Sequence, residues 1–151
     1  MNIRMKIAFW RHFFAGLLLV GFGVVYLFRG EFMPFHAIAI DMPWPEVPPG
    51  FQAIILALMK ALGGAHIVLA LAVYAMLFGP FRQGVRWALL TIPLLGLLSI
   101  AVTFYAMTHL TVHTSAIPPF WAPTLGAALT LIAFALSIYP FKATSIPDGD
   151  Q

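Results

Sequence analysis

The chain has 151 residues, of which 62% are hydrophobic and only 9% are charged, and its formal net charge is +3. Soluble domains are about 45–50% apolar and about 25% charged, and disordered chains combine low hydrophobicity with high charge, so both classes are excluded. The absence of cysteine excludes disulfides, thiol catalysis and thiolate metal sites. The composition therefore predicts an all-α integral membrane protein.

Four apolar segments follow one another along the chain, each close to the roughly 20 residues that a helix needs to cross a bilayer. They cover residues 7–28, 51–78, 87–107 and 123–139, and proline-containing loops separate them. We predict a single domain built as a bundle of four transmembrane helices. Residues 140–151 would then form a short cytoplasmic tail.

The distribution of basic residues predicts the orientation of these helices. Six of the eight basic residues lie at one set of helix ends and two at the other: Arg4, Lys6, Arg11, Arg82, Arg86 and Lys142 against Arg29 and Lys60. The positive-inside rule places both termini and the loop over 79–86 in the cytoplasm, and the loops over 29–50 and 108–122 outside. The same scattered positions form no basic stripe, so nucleic acid is not an expected partner.

An offset of 77 residues aligns the two halves of the chain, pairing Trp10 with Trp87 and His36 with His113. The shared pattern His-x-x-Ala-Ile-x-x-x-Trp predicts two helical hairpins related by an axis along the membrane normal. A chance match within a composition rich in alanine, isoleucine and aromatic residues is the alternative.

Three histidines fall in the predicted outer loops. His109 and His113 are four residues apart and share one face of a helix, which is a spacing that can bind a divalent metal. His36 and the acidic Glu31 belong to the other outer loop and would join them in a metal or ligand site. The alternative is that these histidines only hydrogen-bond lipid headgroups and loop carbonyls.

Two polar residues lie within the second predicted helix. His66 falls near the middle of the bilayer, where an ionisable side chain is unfavourable and indicates a functional site. Alternatively, its imidazole is neutral and hydrogen-bonded to a hydroxyl such as that of Ser99 or Thr103. Lys60 lies six residues earlier and can extend to the outer interface, where it would pair with an anionic headgroup, a ligand carboxylate or Glu46.

Small residues predict where the helices approach one another closely. Gly63 and Gly64 precede His66 and permit a second backbone to lie near the second helix. A stripe of small residues on the fourth helix predicts a packing face: Gly126, Thr130, Ala133 and Ser137.

Several turn and interface segments carry a family resemblance. They are Arg-Gly-Glu-Phe-Met-Pro-Phe-His over 29–36, Pro-Gly-Phe-Gln-Ala over 49–53, the stretch 60–64 and Pro-Phe-Arg-x-Gly over 80–84. In these segments the chain resembles small bacterial four-helix inner-membrane proteins of the DoxX-like type, over about three-quarters of its length. The resemblance implies a four-helix fold in the bacterial inner membrane. Some members of this group are linked to quinone-coupled sulfur oxidation or redox-stress complexes, but no residue here matches such an activity.

The sequence contains no phosphate-binding glycine loop, no His-Glu-x-x-His and no Gly-x-Ser-x-Gly. We therefore expect a protein without catalytic activity of its own. It would bind an apolar or amphipathic small molecule, in a cavity near Lys60 and His66 with Glu31 and His36 as further contacts, or serve as a subunit for a membrane protein partner.

Two alternatives stay open. One is a redox or metal-linked membrane component that uses His36, His109 and His113. The other is a transporter that acts as an oligomer, since four helices alone enclose little space. Membrane lipids and further copies of the chain are the other expected partners, and no cofactor is assigned.

Overall fold

The computed structural model describes residues 2–138, which contain helices and no strand. The helices are α1 (Ile3–Phe28), α2 (Pro34–Ile40), α3 (Pro49–Met76), α4 (Arg86–His113) and α5 (Trp121–Ile138). A short 3-10 turn spans Trp44–Glu46, and a π-helical turn over Leu77–Phe81 continues α3.

Four of these helices, α1, α3, α4 and α5, are long and apolar enough to cross a membrane. The prediction of an all-α bundle with four spans is therefore confirmed, and the chain is a multi-pass membrane protein. The helix α4 extends six residues beyond the predicted end at 107, because the backbone becomes extended only at Thr114. The tail predicted over 140–151 lies outside the described residues.

The four long helices do not pack equally. Helix α1 packs closely against both α3 and α5, and α4 packs against α5, whereas α3 and α4 hardly touch. The bundle is therefore open along its α3–α4 side. We call the end that carries α2 the cap end, and the end that carries residues 77–85 the turn end.

The unequal packing bears on the predicted repeat of two hairpins. A two-fold axis would make the α1–α5 interface equivalent to the α3–α4 interface, yet only the first of these is closely packed. The paired histidines also differ, since His36 lies in the short helix α2 and His113 in the last turn of α4. The two hairpins are consequently not related by symmetry in this fold.

Glycines bring α1 and α3 into backbone contact. A Cβ atom added at Gly63 would lie 2.6 Å from the Leu27 nitrogen and 2.7 Å from the Gly23 carbonyl oxygen, distances that require the backbone to move. A Cβ at Gly64 would meet nothing within 4 Å. The close approach predicted for this pair is therefore made by Gly63 alone, where the backbones of α1 and α3 are in contact.

A buried apolar cluster closes the turn end. Leu77 and Phe81 from the π-helical turn are fully buried, and they pack with Ala88, Ile92 and Ala133 from α4 and α5. The predicted small-residue stripe of α5 is buried as well, and its members are Gly126, Thr130, Ala133 and Ser137. The bundle is thus sealed at the turn end and separates between α3 and α4 toward the cap end.

Candidate functional site

A cleft of about 740 Å³ fills the gap between α3 and α4 in the cap half of the bundle. Its walls are mostly aliphatic and aromatic side chains, and its polar members are Tyr26, His36, His66, Ser99 and Thr103. Ligand sites in proteins have volumes of about 300–1,000 Å³, mostly apolar walls and a few placed polar groups. The cleft has all three properties.

The mouth of the cleft faces sideways. Leu58 on α3 and Val102 on α4 line the cleft, and 66% and 68% of their surfaces respectively are exposed. In a membrane protein such exposed apolar side chains face lipid. A molecule dissolved in the bilayer would therefore reach the cleft without passing through water.

Helix α2 and the residues around it cover the cap end. Phe32 is buried together with Tyr26, Val47 and Met59, and its ring meets Trp44 edge-on at a centroid distance of 4.8 Å. The Gln52 side-chain amide donates a hydrogen bond to the Trp44 carbonyl at 2.9 Å. The loop predicted over 29–50 is therefore an ordered cap, and α2 contributes one wall of the cleft.

His36 caps the first turn of α2. The Met33 backbone N–H donates to His36 Nδ1 at 3.3 Å, and the His36 backbone N–H donates to the Met33 carbonyl at 2.8 Å. Because Nδ1 accepts a hydrogen bond, the ring is neutral and carries its proton on Nε2. Burial lowers the pKa of the His36 imidazole below its ordinary value of 6.5.

Acidification should therefore loosen α2. A proton on Nδ1 removes the acceptor for Met33 and places a positive charge at the positive end of a helix dipole. Because the pKa of His36 is lowered on folding, its stabilising contribution is complete above about pH 6.5 and is lost as the pH falls through the folded-state value. We expect hydrogen-exchange protection factors of the α2 amides to fall on acidification. They should change much less in His36→Gln, and an equal fall in both proteins would contradict this role.

His66 lies in the wall of the cleft. Its Nδ1 is 2.9 Å from the Leu62 carbonyl oxygen one turn earlier, and since a carbonyl can only accept, Nδ1 carries the proton. In the neutral ring Nε2 is then a hydrogen-bond acceptor. The ring also packs on Phe22 at a centroid distance of 4.7 Å.

The hydroxyl partner predicted for His66 is not found. Thr103 Oγ1 instead donates to the Ser99 carbonyl of its own helix at 2.9 Å. Within residues 2–138 no protein group hydrogen-bonds Nε2 of His66. This acceptor is therefore available to a ligand.

A second, narrower cavity of about 150 Å³ continues from the cleft between α1, α4 and α5. The two cavities share seven lining residues, among them Phe22 and His66, and the narrow one also extends toward the turn end as far as His12 and Thr130. Phe22 and His12 are ten residues apart on α1, or about 15 Å along the helix axis. The described chain therefore encloses an elongated apolar space with two polar regions.

Sequence reasoning missed His12, which is only 2% exposed and whose Nε2 has no hydrogen-bond partner. The residue follows Arg11 near the start of the chain, and that position resembles a basic, solvated helix end. Helical spacing could have indicated that His12 is buried, because His12, Gly16 and Gly23 lie on one face of α1 and glycines mark a packed face.

Lys60 and Glu31, which were predicted to contact a ligand, lie outside both cavities. Lys60 Nζ donates to the Leu27 carbonyl at 3.0 Å, so it satisfies a carbonyl in the last turn of α1 and interacts favourably with that end of the helix dipole. Glu31 forms an ion pair with Arg29 at 3.1 Å. Of the four predicted contacts, the structure therefore places His36 and His66 in the cleft wall.

His109 and His113 form an exposed pair at the cap end of α4. Their ring centroids are 4.2 Å apart, and His113 Nδ1 lies 2.8 Å from the His109 carbonyl oxygen. No group of three histidine, cysteine, aspartate or glutamate side chains in the described part of the chain is arranged to hold a metal ion. The predicted three-histidine arrangement is thus not formed: His36 lies in α2, whereas His109 and His113 lie in the last turns of α4.

Comparisons with protein-family models, with curated proteins and with solved structures found no match to this chain. Any functional inference therefore depends on the geometry of the cleft and the narrow cavity.

Proposed function

We propose that the protein is a non-catalytic membrane protein that binds an apolar or amphipathic small molecule taken from the bilayer. The observation that carries the proposal is the cleft of about 740 Å³ between α3 and α4. A packed four-helix bundle has no such space, since protein interiors contain few voids larger than a water molecule. The sideways, apolar mouth supports entry from lipid.

The polar groups in the cleft wall indicate how the ligand is oriented. The accepting Nε2 of His66 would receive a hydrogen bond from the ligand, and Ser99 and Thr103 line the same region. The stacked rings of Phe22 and Tyr26, 4.1 Å apart, provide a flat apolar surface beside His66. This arrangement suits a mainly apolar molecule that places a hydrogen-bond donor beside His66.

Replacing His66 with leucine tests the proposed contact. Leucine keeps the approximate volume and an apolar contact with Phe22, and it loses a hydrogen bond to its own helix, so the fold should be retained. Loss of one hydrogen bond of about 1.4 kcal/mol should weaken ligand binding about tenfold. Mass spectrometry of the lipid-soluble molecules that co-purify with each variant in mild detergent measures the change.

The matched control is His113→Leu, because His113 is exposed and lies outside both cavities. The control should keep the co-purifying molecule at the wild-type level. If His66→Leu and His113→Leu retained it equally, His66 would have no part in binding.

We further propose that the protein lies in the bacterial inner membrane with both termini in the cytoplasm, as the basic residues and the resemblance to the DoxX-like type suggest. The turn end would then be cytoplasmic and the cap end would face outward. In this orientation the cleft opens in the outer half of the bilayer.

Single cysteines test this orientation cleanly, because the natural chain has none. We expect Glu46→Cys, at the cap end, to react with an impermeant maleimide in intact spheroplasts. Gln83→Cys, in the turn between α3 and α4, should react only after the membrane is permeabilised. Labelling of both positions from outside would contradict the orientation.

A further inference from the structure

The narrow cavity ends at a polar group that nothing in the described chain satisfies. The His12 side chain is buried at the turn end, its ring meets Phe81 edge-on at a centroid distance of 5.6 Å, and its Nε2 has no hydrogen-bond partner. A buried polar atom without a partner is unfavourable by about 1–3 kcal/mol, and native structures rarely keep one. His12 Nε2 is therefore the group at this end of the cavity that a polar atom of a ligand would satisfy.

A hydroxyl side chain lies beside the same cavity. Thr130 on α5 is buried and lines the narrow cavity, and a Cβ at Gly96 on α4 would lie 3.5 Å from its Oγ1. The glycine leaves space in front of this hydroxyl. His12 and Thr130 are thus the polar side chains that line the part of the cavity nearest the turn end, where its other walls are mainly apolar.

The charge of the lining restricts the polar atom that can bind. Among the described residues, no lysine, arginine, aspartate or glutamate lines the narrow cavity. A charged headgroup would be buried without a counter-charge, which is strongly unfavourable. A hydroxyl is neutral and both donates and accepts, so it can pair with either neutral tautomer of His12 and with Thr130.

The shape restricts the rest of the molecule. The narrow cavity has a volume of only about 150 Å³ although its lining extends over several turns of α1, so it is a thin space that does not match a fused-ring lipid or a two-chain lipid. The lining extends about 15 Å along α1 between His12 and Phe22, and from Phe22 toward the cap end it shares residues such as Tyr26 and Phe35 with the wider cleft. A single extended hydrocarbon chain matches this form.

We propose that the cavity binds a long-chain alcohol, with its hydroxyl at His12 and Thr130 and its chain passing along α1 into the cleft. The inference rests on the proposed function, because the chain must enter through the opening between α3 and α4. It adds the chemical class of the ligand's chain and a polar contact about 15 Å along the helix axis from the level of His66. A ligand that bonds both histidines therefore carries a second hydrogen-bond donor on the part that lies in the cleft.

The test compares 1-dodecanol with dodecane, which differ only in the hydroxyl. Binding of each radiolabelled probe to the full chain in amphipol is measured by equilibrium dialysis, with empty amphipol subtracted. The wild-type protein should bind the alcohol about tenfold more tightly than the alkane, the factor that one hydrogen bond of about 1.4 kcal/mol gives. In His12→Phe this ratio should fall to about one, with the affinity for dodecane unchanged.

Thr130→Val is a second variant that removes only the hydroxyl. It tests the proposed alcohol site if His12→Phe does not fold. Its matched control is Thr124→Val, because Thr124 is exposed on the same helix and lines neither cavity. The alcohol-to-alkane ratio should fall in Thr130→Val and stay at the wild-type value in Thr124→Val.

Equal binding of alcohol and alkane by the wild-type protein would overturn the inference, as would an unchanged ratio in both His12→Phe and Thr130→Val. In either case binding of dodecane at the cleft would leave the proposed function standing. Binding of neither probe would overturn both.

Discussion

Replacing Gly63 with alanine is expected to destabilise the bundle by about 1–3 kcal/mol, the range for forcing extra atoms into a well-packed interface. The added Cβ would lie 2.6 Å from the Leu27 backbone nitrogen and 2.7 Å from the Gly23 carbonyl oxygen, so two backbones must separate. A flexible side chain could yield locally, but here both contacts are main-chain atoms. Unfolding by increasing SDS in mixed micelles, followed by circular dichroism, measures the change.

The neighbouring Gly64 provides a matched control in the same helix. A Cβ there would meet nothing within 4 Å, and alanine is favoured over glycine in a helix by about 1 kcal/mol. We expect Gly64→Ala to be as stable as the wild-type protein or slightly more stable. Equal stability of Gly63→Ala and Gly64→Ala would mean that α1 and α3 do not meet at Gly63.

Blocking the cleft should abolish ligand binding without unfolding the protein. Ala106 on α4 lines the cleft and is exposed, so the ring of Ala106→Phe can extend into the open gap without displacing packed atoms. A ligand would have to displace that ring, and we expect at least a tenfold fall in bound lipid-soluble molecule. Native mass spectrometry of protein extracted without added lipid measures the bound fraction.

Ala101→Phe is the control for this substitution. Ala101 is exposed on the same helix but lines neither cavity, so the change adds the same ring to a lipid-facing surface. The control should bind as the wild-type protein does. If Ala106→Phe kept full occupancy, the ligand would not lie between α3 and α4.

Residue patterns predict the spans well because apolar length alone decides whether a helix can cross a bilayer. They do not predict which pair of helices separates, because a face of small residues indicates close packing but not which helix packs against it. The gap between α3 and α4 arises from tertiary packing. Glycines allow α1 to contact α3 closely, while α4 packs on α5 instead of on α3.

Individual polar residues show the same limit. Depth within the span singled out His66 as a candidate, and the structure places its side chain in the lining of both cavities. Depth did not identify the partner of Lys60, because the Leu27 carbonyl that it binds is 33 residues away in the sequence. The neighbouring Arg11 made the position of His12 resemble a solvated helix end. The structure shows instead that His12 is buried, with Phe81 packed against its ring.

The most direct measurement of the cleft as a binding site is saturable photo-crosslinking in lipid nanodiscs. A trace of an alkyl probe carrying a diazirine is added, and the labelled residues are mapped by peptide mass spectrometry. Competition by unlabelled probe should remove labelling at cleft residues such as Met59 and His66, and leave the weak labelling of an outward-facing residue such as Leu131 unchanged. Uniform labelling of all apolar faces, with no residue protected by the competitor, would contradict a binding site between α3 and α4.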